Sequence, residues 1–165
     1  MKLYATTAKL IVAGALFCAV SQLAAADWSE YQAPSYGFSM LIPGGAKMKE
    51  AEAGGGWSML AGGSGGVKVY GASKPGEKEK DADIEKFAAQ VIGIPTSDWK
   101  MIDKGKGRGF ERYRTFQAGR ANKLFYGGYG VGANGNYFFY VETTVDDYEG
   151  HRADYKKWYE SIHVE

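Results

Sequence analysis

Three short stretches of the sequence contain residues whose types and spacing could support chemistry. Residues 130–135 (GVGANG) match the G-x-G-x-x-G fingerprint of dinucleotide-binding proteins, and residues 62–66 (GGSGG) match the G-x-S-x-G nucleophile motif of hydrolases. Near the end of the chain, Asp147, His151 and Asp154 could share a divalent metal ion. Each motif is functional only if the neighbouring elements position it correctly.

The elements predicted around the two glycine motifs argue against a nucleotide site and a hydrolase. Both motifs require a strand before them and a helix after them, and the dinucleotide fingerprint uses the helix N-terminus to bind the pyrophosphate. The segments that follow are instead typical of strands, at 136–141 (NYFFYV) and at 67–70 (VKVY). Asn134-Gly135 is a strong signal for a two-residue hairpin turn, so no nucleotide cofactor is predicted.

This hairpin would place a row of glycines beside a row of aromatic rings. With residues 134 and 135 as the turn, Gly132 would face Tyr137, and Tyr129 would face Tyr140 on the opposite side of the sheet. A bare glycine row lets rings or a helix approach the backbone closely. Two interpretations stay open: core beneath a helix, which we favour, or a flat aromatic groove that binds a small ligand.

The acidic cluster near the end of the chain has a simpler explanation than metal binding. Carboxylates in the first turn of a helix are stabilised by the helix dipole, and no second His or Cys with ligand spacing accompanies His151. We therefore predict no metal site, no cofactor and no catalytic residue. A small metal-dependent or hydrolytic periplasmic enzyme is the alternative.

The basic stretch from 104 to 114 is the densest in the chain and is a candidate binding surface. On a strand, Arg112 and Arg114 point to the same face. These cations either pair with nearby acids on a solvated face or form a docking patch for an acidic partner or an anionic envelope surface. Together with exposed aromatic residues, the candidate partner-binding residues are Arg108, Arg112, Arg114, Tyr129 and Tyr140.

The first 26 residues contain the three regions of a secretory signal peptide. Lys2 and Lys9 make the start positive, residues 10–20 form an uncharged apolar run, and three alanines follow shortly after it. We predict cleavage between Ala26 and Asp27. A run of 11 residues is too short to span a bilayer core of about 30 Å. The protein is therefore predicted to be exported and, in a bacterium, periplasmic.

Residues 27–165 are predicted to form a single globular domain without disulfides, since Cys18 is the only cysteine and lies in the signal peptide. This part of the chain contains 19 acidic and 18 basic residues, and its net charge of about −1 argues against bulk electrostatic binding of nucleic acid. No later segment has the length and apolarity of a transmembrane helix.

The periodicity of the chain predicts three strands, a helix, four strands and a closing helix. The first helix covers residues 83–92, and the second begins at Asp146 or Asp147 and ends near His163. Short turns between consecutive strands imply a mainly antiparallel sheet of about six to seven strands, flanked by the two amphipathic helices. The predicted strands are 36–43, 57–61, 67–73, 99–103, 110–117, 123–131 and 136–145.

Three segments carry a resemblance that covers about Tyr36 to His163: YGFSMLIPGG, DIEKFAAQVIGIP and YFFYVETTVDDYEGHRADYKKWYESIHV. In this pattern the chain resembles the PsbP-like superfamily, including its small exported DcrB-like bacterial members. The resemblance implies an α+β fold, an α/β/α sandwich around an antiparallel sheet. It also implies a non-catalytic role in partner binding or assembly, and it carries over no functional residue. We therefore expect a binding or adaptor protein of the bacterial envelope.

Overall fold

The computed structural model describes residues 27–165. The predicted signal peptide, which ends at Ala26, lies outside these residues. The strands are β1 Trp28–Ala33, β2 Phe38–Pro43, β3 Lys49–Gly54, β4 Trp57–Ser64, β5 Val67–Pro75, β6 Lys100–Gly107, β7 Phe110–Arg120, β8 Lys123–Gly132, β9 Gly135–Thr144 and β10 His163–Val164. The α-helices are α1 Asp81–Ile92, α2 Val145–Gly150 and α3 Arg152–Glu160.

The strands form two antiparallel sheets. The larger has seven strands in the order β3-β4-β5-β9-β8-β7-β6, and the smaller has three in the order β1-β2-β10. Helix α1 packs on one face of the large sheet, whereas α2, α3 and the small sheet pack on the other. The predicted α+β fold, a mainly antiparallel sheet between helical layers, is confirmed.

Helix α1 covers its face of the sheet because its apolar residues recur at helical spacing. Its ring Phe87 stacks on Trp57 of β4 with centroids 4.2 Å apart, and it meets Phe138 of β9 edge to face. The helix ends at Gly93, whose φ of 72° is the left-handed conformation expected of a glycine C-cap. The buried residues of α1 are Ile84, Phe87, Ala88 and Ile92.

The opposite face is covered by aromatic side chains from the two short helices and by apolar residues of β2. Phe38 packs edge to face on Phe139 of β9, with centroids 4.9 Å apart. Within β2, Phe38, Met40 and Ile42 are all buried on this side, because alternate side chains of a strand point to the same face. The buried aromatic residues of α2 and α3 are Tyr148, Tyr155, Trp158 and Tyr159.

The hairpin between β8 and β9 forms, but its predicted register is wrong by two residues. The turn is residues 133–134, so that Gly132 pairs with Gly135 rather than Tyr137, and Tyr129 pairs with Phe138 rather than Tyr140. A shift of two residues leaves every side chain on its predicted face, because side chains alternate with a period of two. The glycine row and the aromatic row therefore still lie side by side.

Gly135 explains this difference. It does not act as a turn residue; it begins β9 and pairs with Pro75 of β5. A Cβ at this position would collide with the backbone carbonyl of Lys74. The glycine is thus required by the close approach of a third strand that is remote in sequence, and turn statistics for Asn-Gly contain no information about that contact.

The predicted closing helix is two helices instead of one. Between α2 and α3, His151 has φ −129° and ψ 28°, outside the helical region, and it follows Gly150, which has a low helix propensity. The cap of α2 is Thr144, whose hydroxyl accepts a hydrogen bond of 3.2 Å from the N–H of Asp147. The helix begins at Val145, one residue before the earlier of its two predicted starts, Asp146 and Asp147.

Three strands have no clear signal in the sequence. β1 and β3 are rich in polar or small residues, and most of their side chains are exposed or half-buried. β10 is two residues long and pairs with β2. Helix α1 also begins at Asp81, two residues before its predicted start. These elements depend on partner strands and on packing more than on local periodicity.

Candidate binding surface

Arg112 and Arg114 hold the start of α1 against the sheet. Both guanidinium groups lie 2.8 Å from the carboxylate of Asp81, the first residue of α1. The guanidinium of Arg112 also donates to the backbone carbonyl of Glu79. As predicted, the two side chains share one face of β7, because they lie opposite Val131 and Tyr129 of β8. Since Asp81 balances one of the two charges, these residues form a weaker docking patch than the sequence suggests.

Arg108 has a different position and role. It lies in the turn between β6 and β7 with φ 56°, a left-handed conformation that costs a non-glycine residue energy. Its Nη1 donates to the carbonyl of Tyr159 at the end of α3 and, at 3.4 Å, to that of Ile162. The guanidinium also lies 4.7 Å from the ring centroid of Tyr159 and 5.0 Å from that of Tyr113. Arg108 therefore connects this turn to the end of α3.

Tyr129 and Tyr140 do not form an exposed surface, and the expectation that they do is wrong. Tyr129 is fully buried under α1, and its hydroxyl donates to the carboxylate of Glu85 on that helix. Tyr140 is buried and stacks on Tyr70 with centroids 4.2 Å apart. An amphipathic helix must bury its apolar stripe, and this aromatic face of β8 and β9 is where α1 does so.

The glycine row on the other face is also filled by the protein. A Cβ on Gly128 would lie 2.5 Å from the Tyr159 hydroxyl, and one on Gly132 would lie 2.9 Å from a methyl group of Val164. The row thus receives side chains from α3 and β10. The interpretation as core beneath a helix is confirmed for the glycine row, and the alternative of a ligand groove has no space along that row.

An open cleft nevertheless lies on this same face, where the helical layer stops before the edge of the sheet. It has a volume of about 500 Å³ and opens between α2 and α3 on one side and β6, β7 and β8 on the other. We call it the tyrosine cleft. Its lining residues are Ile102, Asp103, Arg108, Tyr113, Thr115, Tyr126, Tyr148, Arg152, Lys156, Tyr159 and Glu160.

The tyrosines of the cleft act as hydrogen-bonding groups and not as bases. Burial raises the pKa of Tyr126, Tyr148 and Tyr159 above the ordinary value for a phenol, and in Tyr159 the nearby Arg108 opposes this effect. The three hydroxyls therefore stay protonated at neutral pH. The hydroxyl of Tyr159 is buried without a hydrogen-bond partner among the described residues.

The mouth of the tyrosine cleft carries charges of both signs. Lys156 lies 3.5 Å from Glu160 on α3, and Arg152 pairs with Glu149. The side chains of Arg152 and Lys156 are 65% and 73% exposed, so these ion pairs are screened by solvent and exchange easily with other partners. The cleft thus combines an aromatic floor with an exposed, charged rim.

Strand β6 forms the outer wall of the cleft and one edge of the large sheet. It pairs with β7 only, so one side of its backbone has no strand partner within residues 27–165. Met101 and Ile102 are 43% and 46% exposed, and they are the exposed large apolar residues of the described chain. Adjacent apolar side chains on an unpaired edge are unusual, because edges are normally protected against pairing with other chains.

The acidic cluster around His151 and the glycine motif at residues 62–66 have structural roles. Asp147 accepts hydrogen bonds from Thr143 at 2.7 Å and from the Tyr155 hydroxyl, and His151 Nδ1 lies 3.2 Å from its second oxygen. Within the described part of the chain, no three His, Cys, Asp or Glu side chains form a group able to hold a metal ion. Residues 62–66 connect β4 to β5 as a hairpin, as the sequence predicts, and not as a strand-to-helix turn.

Comparison with known proteins identifies the fold. No family model matches the chain, and no curated protein matches it either. Among solved structures, cyanobacterial PsbP (CyanoP) from Synechocystis sp. PCC 6803, determined in solution, matches with a TM-score of 0.60. The match covers 87% of this chain and 96% of that one, at 14% identity. The fold is PsbP-like.

The PsbP-like fold confirms the structural part of the resemblance, whereas the narrower likeness to DcrB-like proteins stays a prediction. None of the helices described for residues 27–165 is long and apolar enough to cross a membrane.

Proposed function

We propose that the protein is an exported, non-catalytic binding protein of the bacterial envelope that holds a partner protein or assists its assembly. The tyrosine cleft and the edge strand β6 together form the binding surface. The observation that carries this proposal is the exposure of Met101 and Ile102 on an unpaired edge, where Ile102 also lines an open aromatic cleft. Such an arrangement is typical of a surface that another molecule covers.

The chemistry of the described residues supports binding over catalysis. The phenols of Tyr126, Tyr148 and Tyr159 have raised pKa values, so they are poor nucleophiles and bases at neutral pH. Asp147, the carboxylate next to His151, has both oxygens engaged by neighbouring side chains. Aromatic rings and arginine side chains, by contrast, are enriched in protein-binding surfaces.

Among the residues predicted from the sequence, Arg108 belongs to this surface because it lines the cleft. Arg112 and Arg114 lie on the opposite face of β7 and are secondary candidates, because both already form ion pairs with Asp81. Their residual positive charge is also compatible with contact to an anionic envelope surface. Tyr129 and Tyr140 are not part of the proposed surface because both are buried in the core on the α1 side of the sheet.

A photocrosslinking residue at position 102 tests partner binding in the native envelope. Ile102 is nearly half exposed, so the substitution is compatible with folding. Lys49, exposed on the opposite edge strand β3, is the matched control position. We expect a discrete adduct from position 102 and none from position 49. Equal labelling at both positions, or no adduct from 102, would contradict partner binding at this surface.

The volume of the cleft favours a second candidate function, the binding of a small ligand. About 500 Å³ lies within the range of roughly 300–1,000 Å³ that is usual for ligand sites. Native mass spectrometry of the protein, purified without denaturation from the envelope, separates the two functions. A stoichiometric small molecule would support the ligand function, whereas the unliganded mass together with an adduct at position 102 would support partner binding.

Export rests on the sequence of residues 1–26 and has its own test. We expect the protein recovered from the periplasm to begin at Asp27, because Ala26 and the alanines before it suit signal peptidase. N-terminal sequencing of that fraction measures the cleavage site directly. Recovery of the protein from the cytoplasm with an intact N-terminus would exclude export.

A further inference from the structure

If the surface binds a partner protein as proposed above, the geometry points to the form that the partner takes: an extended segment of alternating acidic and apolar residues, which adds to β6 as an extra antiparallel or parallel strand. The acidic side chains would lie on the face that carries Lys104, and the apolar side chains would lie towards the tyrosine cleft. This inference rests on the proposed function and specifies the partner's chemistry.

The charge of β6 favours an acidic segment over a second copy of this chain. The strand carries Lys100, Lys104 and Lys106 against a single acid, Asp103. Within residues 27–165, no carboxylate lies within salt-bridge distance of these three lysines. In a pair of two β6 strands, six lysines would lie beside only two carboxylates, so at least four of the lysines would lack a carboxylate partner in any register. Like charges directly opposite each other destabilise a pair of strands.

The two faces of β6 differ in chemistry, and this difference is the reason for expecting acidic and apolar residues to alternate in the partner segment. Lys104 pairs with Arg114 and therefore shares the face of α1, on which Asp81 already balances one of the two arginine charges. Met101 pairs with Phe116 and lies on this face as well. Asp103 pairs with Thr115, and both line the tyrosine cleft on the opposite face. A strand added beside β6 would lie about 4.8 Å away and would project its side chains alternately to these two faces. One face thus carries an exposed lysine that has no carboxylate partner within residues 27–165, and the other offers an aromatic cavity.

The length of the segment is limited by irregularities in β6. Its register against β7 shifts between Met101 and Asp103 and again between Gly105 and Gly107. The regular part is therefore short, and the exposed Ile102 beside the first shift lies at the entrance of the cleft. We expect a few backbone hydrogen bonds together with one apolar side chain in the cleft, which is typical of weak, reversible strand addition.

Synthetic peptides test this inference independently of any natural partner. The probe is an acetylated, amidated peptide of four Phe-Glu repeats. One control has the same composition in two blocks, four Phe followed by four Glu, and the other has four Phe-Lys repeats. Titration into ¹⁵N-labelled protein should shift the amide signals of β6 and of the cleft, with at least tenfold tighter binding for the alternating acidic peptide than for either control.

Charge reversal of β6 provides the matched protein variants. The double variant Lys104→Glu/Lys106→Glu changes two exposed residues, and Lys47→Glu/Lys49→Glu makes the same change of charge near the opposite edge. We expect the first variant to bind the alternating acidic peptide about tenfold more weakly, because two attractions become repulsions, and the second to bind it normally. Binding should also weaken with added salt, since the Debye length is about 8 Å at physiological ionic strength.

Several results would overturn the inference: equal binding of the block peptide, equal binding of the Phe-Lys peptide, shifts confined to residues outside β6 and the cleft, or no shifts at millimolar peptide. Each of these leaves the proposed function intact if position 102 still yields an adduct in the envelope. Conversely, loss of that adduct removes the proposed function whatever the peptides do, so the two failures are distinguishable.

Discussion

Replacing Arg108 by alanine should lower the free energy of unfolding by about 3 kcal/mol. The guanidinium donates to the carbonyls of Tyr159 and Ile162, and it lies over the rings of Tyr159 and Tyr113 at 4.7 and 5.0 Å. A hydrogen bond from a charged group contributes about 1.5–3 kcal/mol. A cation–π contact contributes about 0.5–2 kcal/mol, depending on its exposure. Alanine removes all of these contacts and keeps the unfavourable backbone conformation.

The backbone conformation of Arg108 gives the experiment an internal comparison. At φ 56°, glycine avoids a cost of about 1 kcal/mol, so Arg108→Gly should be less destabilising than Arg108→Ala by about that amount. Ala121 is the matched control because it is exposed and has φ 54°. Ala121→Gly should stabilise the protein by about 1 kcal/mol, since it relieves the same conformation without the loss of a functional side chain.

Urea unfolding, followed by the fluorescence of buried residues such as Trp158, measures these changes. With a slope near 2 kcal/mol per M, a loss of 3 kcal/mol lowers the midpoint by about 1.5 M. The reasoning is refuted if Arg108→Ala remains within about 0.5 kcal/mol of the unmodified protein. It is also refuted if Arg108→Gly is the more destabilised of the two variants, because the backbone would then not be strained.

Three further outcomes are expected in urea unfolding. Gly128→Ala should lower the free energy of unfolding by about 2–3 kcal/mol, because the new Cβ would lie 2.5 Å from the Tyr159 hydroxyl. Gly119→Ala should leave the free energy of unfolding nearly unchanged, because the nearest atom to its new Cβ would lie 3.6 Å away. Asp147→Asn should lower the free energy of unfolding by about 1.5–3 kcal/mol, because Asp147 accepts hydrogen bonds from neighbouring hydroxyl groups. Asp146→Asn changes an exposed residue and should lower it by less than about 0.5 kcal/mol, and equal effects of the two variants would contradict this expectation. Stability should also fall as the pH rises above about 10, because burial raises the pKa of nine tyrosines in the folded state and the unfolded chain ionises first. A midpoint that is equal at pH 9 and pH 11 would contradict this last expectation.

Much of the fold can be predicted from local pattern. The stripe of α1 and its glycine end are local features, and both agree with the structure. The alternation of β2 is likewise local, because side chains on a strand point to opposite faces regardless of the neighbouring strand. The glycine motifs at 62–66 and 130–135 were also interpretable, since strand-like residues follow them where a nucleotide or nucleophile motif needs a helix.

The candidate site was less predictable, because its properties arise between elements. The sequence indicates that Arg112 and Arg114 share a face, but it does not indicate that Asp81, remote in the chain, pairs with both. It indicates that Tyr129 is aromatic and on a strand, but burial depends on where α1 packs. Arg108 lies between two glycines in a turn, and the only local signal of its role was its position in a dense basic stretch.

The tyrosine cleft had no sequence signal at all. Its rings come from β7, β8, α2 and α3, and the cavity exists because the helical layer ends before the edge of the sheet. Tyr148 and Tyr159 are indicated as members of a helical stripe, and a stripe predicts burial. Nothing in that periodicity shows that one end of the stripe borders an open space.

The glycine row of β8 shows which features follow from the local sequence pattern and which depend on tertiary contacts. The sequence by itself determines that residues 124–141 form a hairpin with glycines on one face, because alternation and turn signals act between neighbouring residues. Only the tertiary structure decides the register and the occupant. Gly135 is needed where β5 approaches, and Gly128 is needed where Tyr159 of α3 packs on the sheet. Such contacts join residues far apart in the chain, and their energies depend on distances that no local pattern specifies.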